Sequence, residues 1–110
     1  MNRVTTLLAL VLGIVGCSNK PPEVTTPAGP TDGRTNTTCQ FSTFATDPDA
    51  DSVALRFDWA DADTSAWSEW LTPADTCFAT HAWTEPGSYE VRAQAKDIHE
   101  TFSDWSSALT

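Results

Sequence analysis

The chain has 110 residues, 40% of them hydrophobic and 19% charged, with five Trp and five Phe; that is room for one ordinary domain and too aromatic a composition for a wholly disordered chain. Fifteen Asp plus Glu stand against six Lys plus Arg, a formal net charge of −9. So few cations exclude a phosphate-contacting surface, and with it nucleic acid as a partner.

Residues 1–16 carry a single charge, Arg3, followed by the apolar run Leu7 to Val15. That run is about half of the roughly 20 residues needed to cross a bilayer, so it reads as an export signal and not as a membrane span. It ends in Ile14-Val15-Gly16-Cys17, which resembles the lipobox of bacterial lipoproteins. The resemblance implies cleavage before Cys17, a lipid on its sulfur and attachment to the membrane, two acyl signals being enough for stable anchoring. Ser18 follows the cysteine, which in that family implies the outer membrane or cell surface. Residues 17–36 hold four of the seven prolines (Pro21, Pro22, Pro27 and Pro30) with little to bury, the composition of a disordered, extended tether.

From residue 37 to residue 110 the periodicity becomes two. Val53, Leu55, Phe57 and Trp59 alternate with Ala54, Arg56, Asp58 and Ala60, and Tyr89, Val91, Ala93 and Ala95 alternate with Glu90, Arg92, Gln94 and Lys96. Each is the pattern of a half-buried strand. Further strands are expected at Cys39 to Thr46, Thr76 to Trp83 and Asp104 to Leu109, separated by Asp47-Pro48-Asp49, Thr72-Pro73 and Glu85-Pro86-Gly87 turns. Short strands at such spacing predict an all-β sandwich of about seven strands, since one sheet alone would leave its apolar face wet.

Thr46-Asp47-Pro48-Asp49-Ala50-Asp51, Phe57-Asp58-Trp59-Ala60-Asp61-Ala62, His81-Ala82-Trp83, Pro86-Gly87-Ser88-Tyr89-Glu90-Val91 and Ala95-Lys96-Asp97 together resemble the PKD domain, an immunoglobulin-like module of surface proteins. The resemblance implies a structural, adhesion or interaction role without catalysis, with a protein or polysaccharide partner at the cell surface. Where that family usually has Gly, this chain has Ala50, Ala60 and Ala62, so more open turns are expected there.

Export places Cys39 and Cys77 in an oxidising compartment, and with Cys17 lipidated these two are expected to form a disulfide. Asp47, Asp49 and Asp51 in one loop and Asp58, Asp61 and Asp63 in another are the hard oxygen ligands that Ca²⁺ takes, although turn formation and solubility account for the same residues. Weak Ca²⁺ binding is the one cofactor expectation. An EF-hand is excluded, because Ser52 stands where that loop needs Gly and a strand pattern follows it. The two histidines, His81 and His99, show no spacing to a nucleophile or to a zinc ligand set. Trp67 and Trp70, in a polar setting, are the candidates for a sugar-stacking platform, the alternative function. A further alternative is a fragment of a larger secreted hydrolase.

Overall fold

The computed structural model describes residues 19–109. The signal segment 1–16 and the lipidation site Cys17 lie outside the described residues. Among the described residues six strands are formed: β1 Glu23–Val24, β2 Cys39–Thr43, β3 Ala45–Thr46, β4 Val53–Asp58, β5 Cys77–His81 and β6 Arg92–Asp97. The pairs β1–β3, β2–β5 and β4–β6 are antiparallel.

These pairs belong to two layers. In the first, residues 23–28 run beside residues 42–46, with Ala28 and Ser42 exchanging backbone bonds of 2.8 and 2.9 Å, and β5 flanks β2 on the other side. The segment read as a tether is therefore in part an edge strand. Its prolines fit there, because an edge strand has one row of backbone groups that no neighbour needs. Pro22 and Pro27 are buried, and Thr43 donates its hydroxyl to the Thr25 carbonyl at 2.9 Å.

The second layer is centred on β4 and β6. Val53, Leu55 and Phe57 pair with Asp97, Ala95 and Ala93, and point with Phe41, Ala45, Trp59, Cys77 and Val91 into one core. Trp59 stacks on Phe57 at 5.0 Å between centroids and accepts the Trp83 indole N–H on its carbonyl at 3.0 Å. The Tyr89 hydroxyl donates to the Glu85 carbonyl at 2.6 Å, a tie across the corner that enters β6.

The edges of this layer are not regular strands. Ser65, Ser68 and Leu71 donate their amides to Phe57, Leu55 and Val53, and Ser103, Ser106 and Leu109 donate theirs to Ala95, Ala93 and Val91. Three residues on the edge thus match two on the strand, a repeated bulge. Serine makes this possible. The Ser65, Ser68, Ser103 and Ser106 hydroxyls each accept the strand amide that the bulge would orphan, namely those of Phe57, Leu55, Ala95 and Ala93, at 2.9 Å. Both edges carry the same local sequence, Ser-x-Trp-Ser-x-x-Leu, at Ser65 to Leu71 and Ser103 to Leu109. The strand expected at Asp104 to Leu109 is replaced by this ribbon, because its contacts repeat every three residues and not every two.

Candidate functional site

Chemistry-bearing side chains collect in three places: the two ends of β4 and the outer face of the β4–β6 ribbon. The six aspartates named as a possible ligand set do not converge, because β4 separates their loops by about 20 Å of extended chain. Asp58 belongs to neither cluster; its Oδ1 accepts the Ala60 amide at 2.9 Å.

At one end, one carboxylate oxygen from each of Asp47, Asp49 and Asp51 lies within 4.8 Å of the others. Asp47 Oδ1 accepts the Asp49 amide at 2.7 Å, and the Asp47 carbonyl accepts the Ala50 amide at 2.9 Å. Asp49 Oδ2 takes the Lys20 amide at 2.8 Å, which ties the incoming segment to this loop. Asp97 ends β6 nearby, opposite Val53, and is fully buried. Burial pushes its carboxyl up, but hydrogen bonds from the Asn19 side chain and the Thr101 and His99 amides, with the His99 imidazole nearby, outweigh this and hold it below the usual range.

At the other end, His81 Nε2 lies 2.8 Å from Asp61 Oδ2, with Asp63 alongside. The His81 ring stacks on Trp59 at 4.7 Å and meets Trp83 edge-on at 4.7 Å, so it is a member of the aromatic cluster. Asp61 Oδ1 accepts the Asp63 amide at 3.2 Å. Asp61 is thus partnered on both oxygens from within the protein. The loop turns through Ala60 at φ 64° and Ala62 at φ 71°, and the first loop through Ala50 at φ 60°. The expectation of more open turns is corrected here: alanine takes the left-handed conformation that glycine adopts without strain, and the turns stay tight.

On the outer face of the ribbon, Arg56 lies 4.4 Å from the Trp67 ring centroid and 5.2 Å from that of Trp105, and Lys96 lies 4.8 Å from Trp67 and 5.6 Å from Trp70. Arg56 Nε and one terminal nitrogen both donate to Gln94 Oε1, and Phe102 packs edge-on to Trp67 at 5.5 Å. Trp67 and Trp70 were the proposed sugar platform. Trp67 is half-buried with Arg56 and Lys96 over its ring, and Trp70 is 48% exposed and stands at the end of the ladder. The signal for this ladder was in the sequence: Arg56 and Lys96 fall on the polar face of their strands, and the tryptophans recur in the serine motif.

The disulfide expectation is corrected by register. Cys39 pairs with His81, and Cys77 with Thr43, so the cysteines stand at opposite ends of the β2–β5 ladder. Four residue steps separate them by about 14 Å, twice the ~7 Å that a disulfide spans. Both are free thiols; burial pushes the Cys77 thiol up, and a hydrogen bond with Ser68 offsets this only in part.

The sequence matches the family described as PKD domain over residues 23–106. Among solved structures, the chain is similar to the PKD domain of an M14-like peptidase from Thermoplasmatales archaeon SCGC AB-540-F20, at 34% identity and a TM-score of 0.72, over 81% of this chain and 92% of that one. Comparison with curated proteins finds no match. The match begins at β1, inside the segment read as tether, in agreement with the pairing of β1 and β3. With an all-β two-layer sandwich and a family match across most of its length, the chain belongs to the PKD domain family.

Proposed function

We propose that this is a lipid-anchored, non-catalytic protein of the cell surface, whose PKD sandwich is a structural or interaction module held to the membrane through Cys17. The observation that best supports the non-catalytic reading is how the polar side chains are spent. Ser65, Ser68, Ser103 and Ser106 each accept a strand amide and donate to a backbone carbonyl, leaving no free hydroxyl proton for a base to take. His81 is stacked on Trp59 and held by Asp61. The short apolar run before Cys17 supports the anchor.

Fractionation of cells expressing the full chain tests the anchor. The parent is expected in the detergent phase and Cys17→Ser in the aqueous phase or retained as precursor; identical partitioning of the two contradicts it. Likeness to a peptidase's PKD domain favours one second reading, an accessory module of a larger secreted hydrolase. A catalytic domain encoded in continuity with this chain would establish that reading.

A further inference from the structure

A sheet edge with an unpaired row of backbone groups draws another strand unless it is blunted by charge, proline or a bulge. Residues 23–28, at one edge of the first layer, carry Glu23 and Pro27, and the serine ribbons at both edges of the second layer are bulged along their length. β5, which pairs only with β2 among the described residues, has none of these devices. Its sequence, Cys77 to His81, contains no Pro, Asp, Glu, Lys or Arg, and the His81 ring is held by Asp61. The register fixes which groups are left over. Ser42 exchanges both of its backbone bonds with Ala28, so its pair with Phe78 on β5 is a non-hydrogen-bonded one. By the two-residue period of an antiparallel ladder the same holds for Gln40 and Thr80, and the N–H and C=O groups of Phe78 and Thr80 point away from β2. Among the described residues these groups have no hydrogen-bond partner. Phe78 is also 62% exposed, and Phe44, 40% exposed, stands just past the end of β2 in the same ladder.

We propose that the free edge of β5 pairs with β5 of a second copy of this chain, antiparallel about a two-fold axis at Phe78, so that the first layers of the two copies join into one sheet. In this register Phe78 exchanges both backbone bonds with its symmetry mate, and Thr80 faces Thr76. Charge selects the occupant. The chain as a whole carries −9, yet the stretch Thr76 to Thr80 offers no charge with which to choose a partner of either sign. What this edge fits is a short neutral strand with an aromatic residue opposite Phe78, and β5 is itself such a strand, since a two-fold contact needs one self-complementary patch. It is also where two acidic copies meet with the least repulsion, their carboxylate loops being screened beyond about 8 Å at physiological salt. Pairing uses up both free edges, so assembly closes at the dimer. A single short strand buries less than the roughly 1,200 Å² of a standard interface, so the dimer is weak and exchanges with monomer.

The test is analytical ultracentrifugation of the Cys17→Ser protein in reductant, from micromolar to millimolar concentration, paired with amide hydrogen exchange on the same samples. Pairing needs only the folded domain, so its failure leaves attachment at Cys17 untouched, and the reverse. The weight-average mass should rise from one chain toward two and stop there. The Phe78 and Thr80 amides should exchange in proportion to the monomer that remains, about tenfold more slowly once nine-tenths of the chain is dimer, whereas the Ala79 amide, bonded within the β2–β5 ladder, is slow at every concentration. Phe78→Lys puts a charge on the exposed edge, and Thr80→Pro removes an outward N–H without touching the bonds to β2; both should melt close to the parent and stay monomeric. Thr26→Lys, at an exposed position on the opposite edge, should dimerise as the parent does. A parent that stays monomeric throughout, which would leave the edge to a strand of a different protein, growth beyond the dimer, unchanged exchange at Phe78 and Thr80 in the dimer, or undiminished association of both folded variants would overturn the proposal.

Discussion

Arg56 lies between Trp67 and Trp105, 4.4 Å from one ring centroid and 5.2 Å from the other, and so ties the two edge ribbons to each other across β4 and β6. Each tryptophan sits at the same position of a Ser-x-Trp-Ser-x-x-Leu segment, one on either side of the layer. Cation–π contacts contribute about 0.5–1 kcal/mol at exposed sites and about 2 when desolvated. A double-mutant cycle of Arg56→Met and Trp67→Leu should therefore give a coupling of about 1 kcal/mol in urea melts. Additive effects of the two changes would show that the stacking contributes nothing.

The serines of the ribbons are structural acceptors. Ser68→Ala and Ser106→Ala leave the Leu55 and Ala93 amides without partners next to the core, and each should destabilise by about 1–3 kcal/mol. Ser107→Ala, at an exposed position that contributes only its carbonyl, should change stability by less than about 0.5 kcal/mol. Chemical denaturation of the three variants decides this.

Free thiols at Cys39 and Cys77 have a chemical signature. Thiol counting on the unreduced Cys17→Ser protein should find two thiols in denaturant. In native buffer the half-buried Cys39 should react first. Cys77 should lag, because burial both hinders access and pushes its thiol up.

Left-handed alanines carry strain that glycine does not. Ala60→Gly and Ala62→Gly, at φ 64° and 71°, should each stabilise by about 0.5–1 kcal/mol, the relief of the Cβ clash exceeding the extra entropy lost by glycine. Thermal melts of either variant at or below the parent would contradict this.

Acid sensitivity should trace in part to Asp97. Its folded pKa lies below the ordinary carboxylate value, so its stabilising contribution is present above the unfolded value and is lost as pH falls through the folded one. Asp97→Asn should flatten that part of the stability curve below about pH 4. A parallel curve for the variant would place the acid sensitivity elsewhere.

The core strands were legible because Val53, Leu55 and Phe57 lie on a strict period of two, which a sheet with one buried face enforces. Residues 23–28 were not, since prolines and threonines read as linker until the unpaired edge of the first layer is there to accept them. The ribbons were missed for a related reason: their hydrogen bonds advance three residues for every two on β4 and β6, so neither strand nor helix periodicity describes them. The aspartate loops were visible as a composition, but the length of β4 between them decides that they form two clusters. Cys39 and Cys77 show the same dependence on register, which the residue count between them does not contain.

The proposed attachment at Cys17 is tested most directly by the intact mass of the mature chain recovered from membranes. The prediction is a polypeptide beginning at Cys17 whose mass exceeds that of residues 17–110 by a diacylglyceryl group and an N-acyl chain. A mass matching unmodified residues, with the Cys17 thiol open to alkylation, would contradict it.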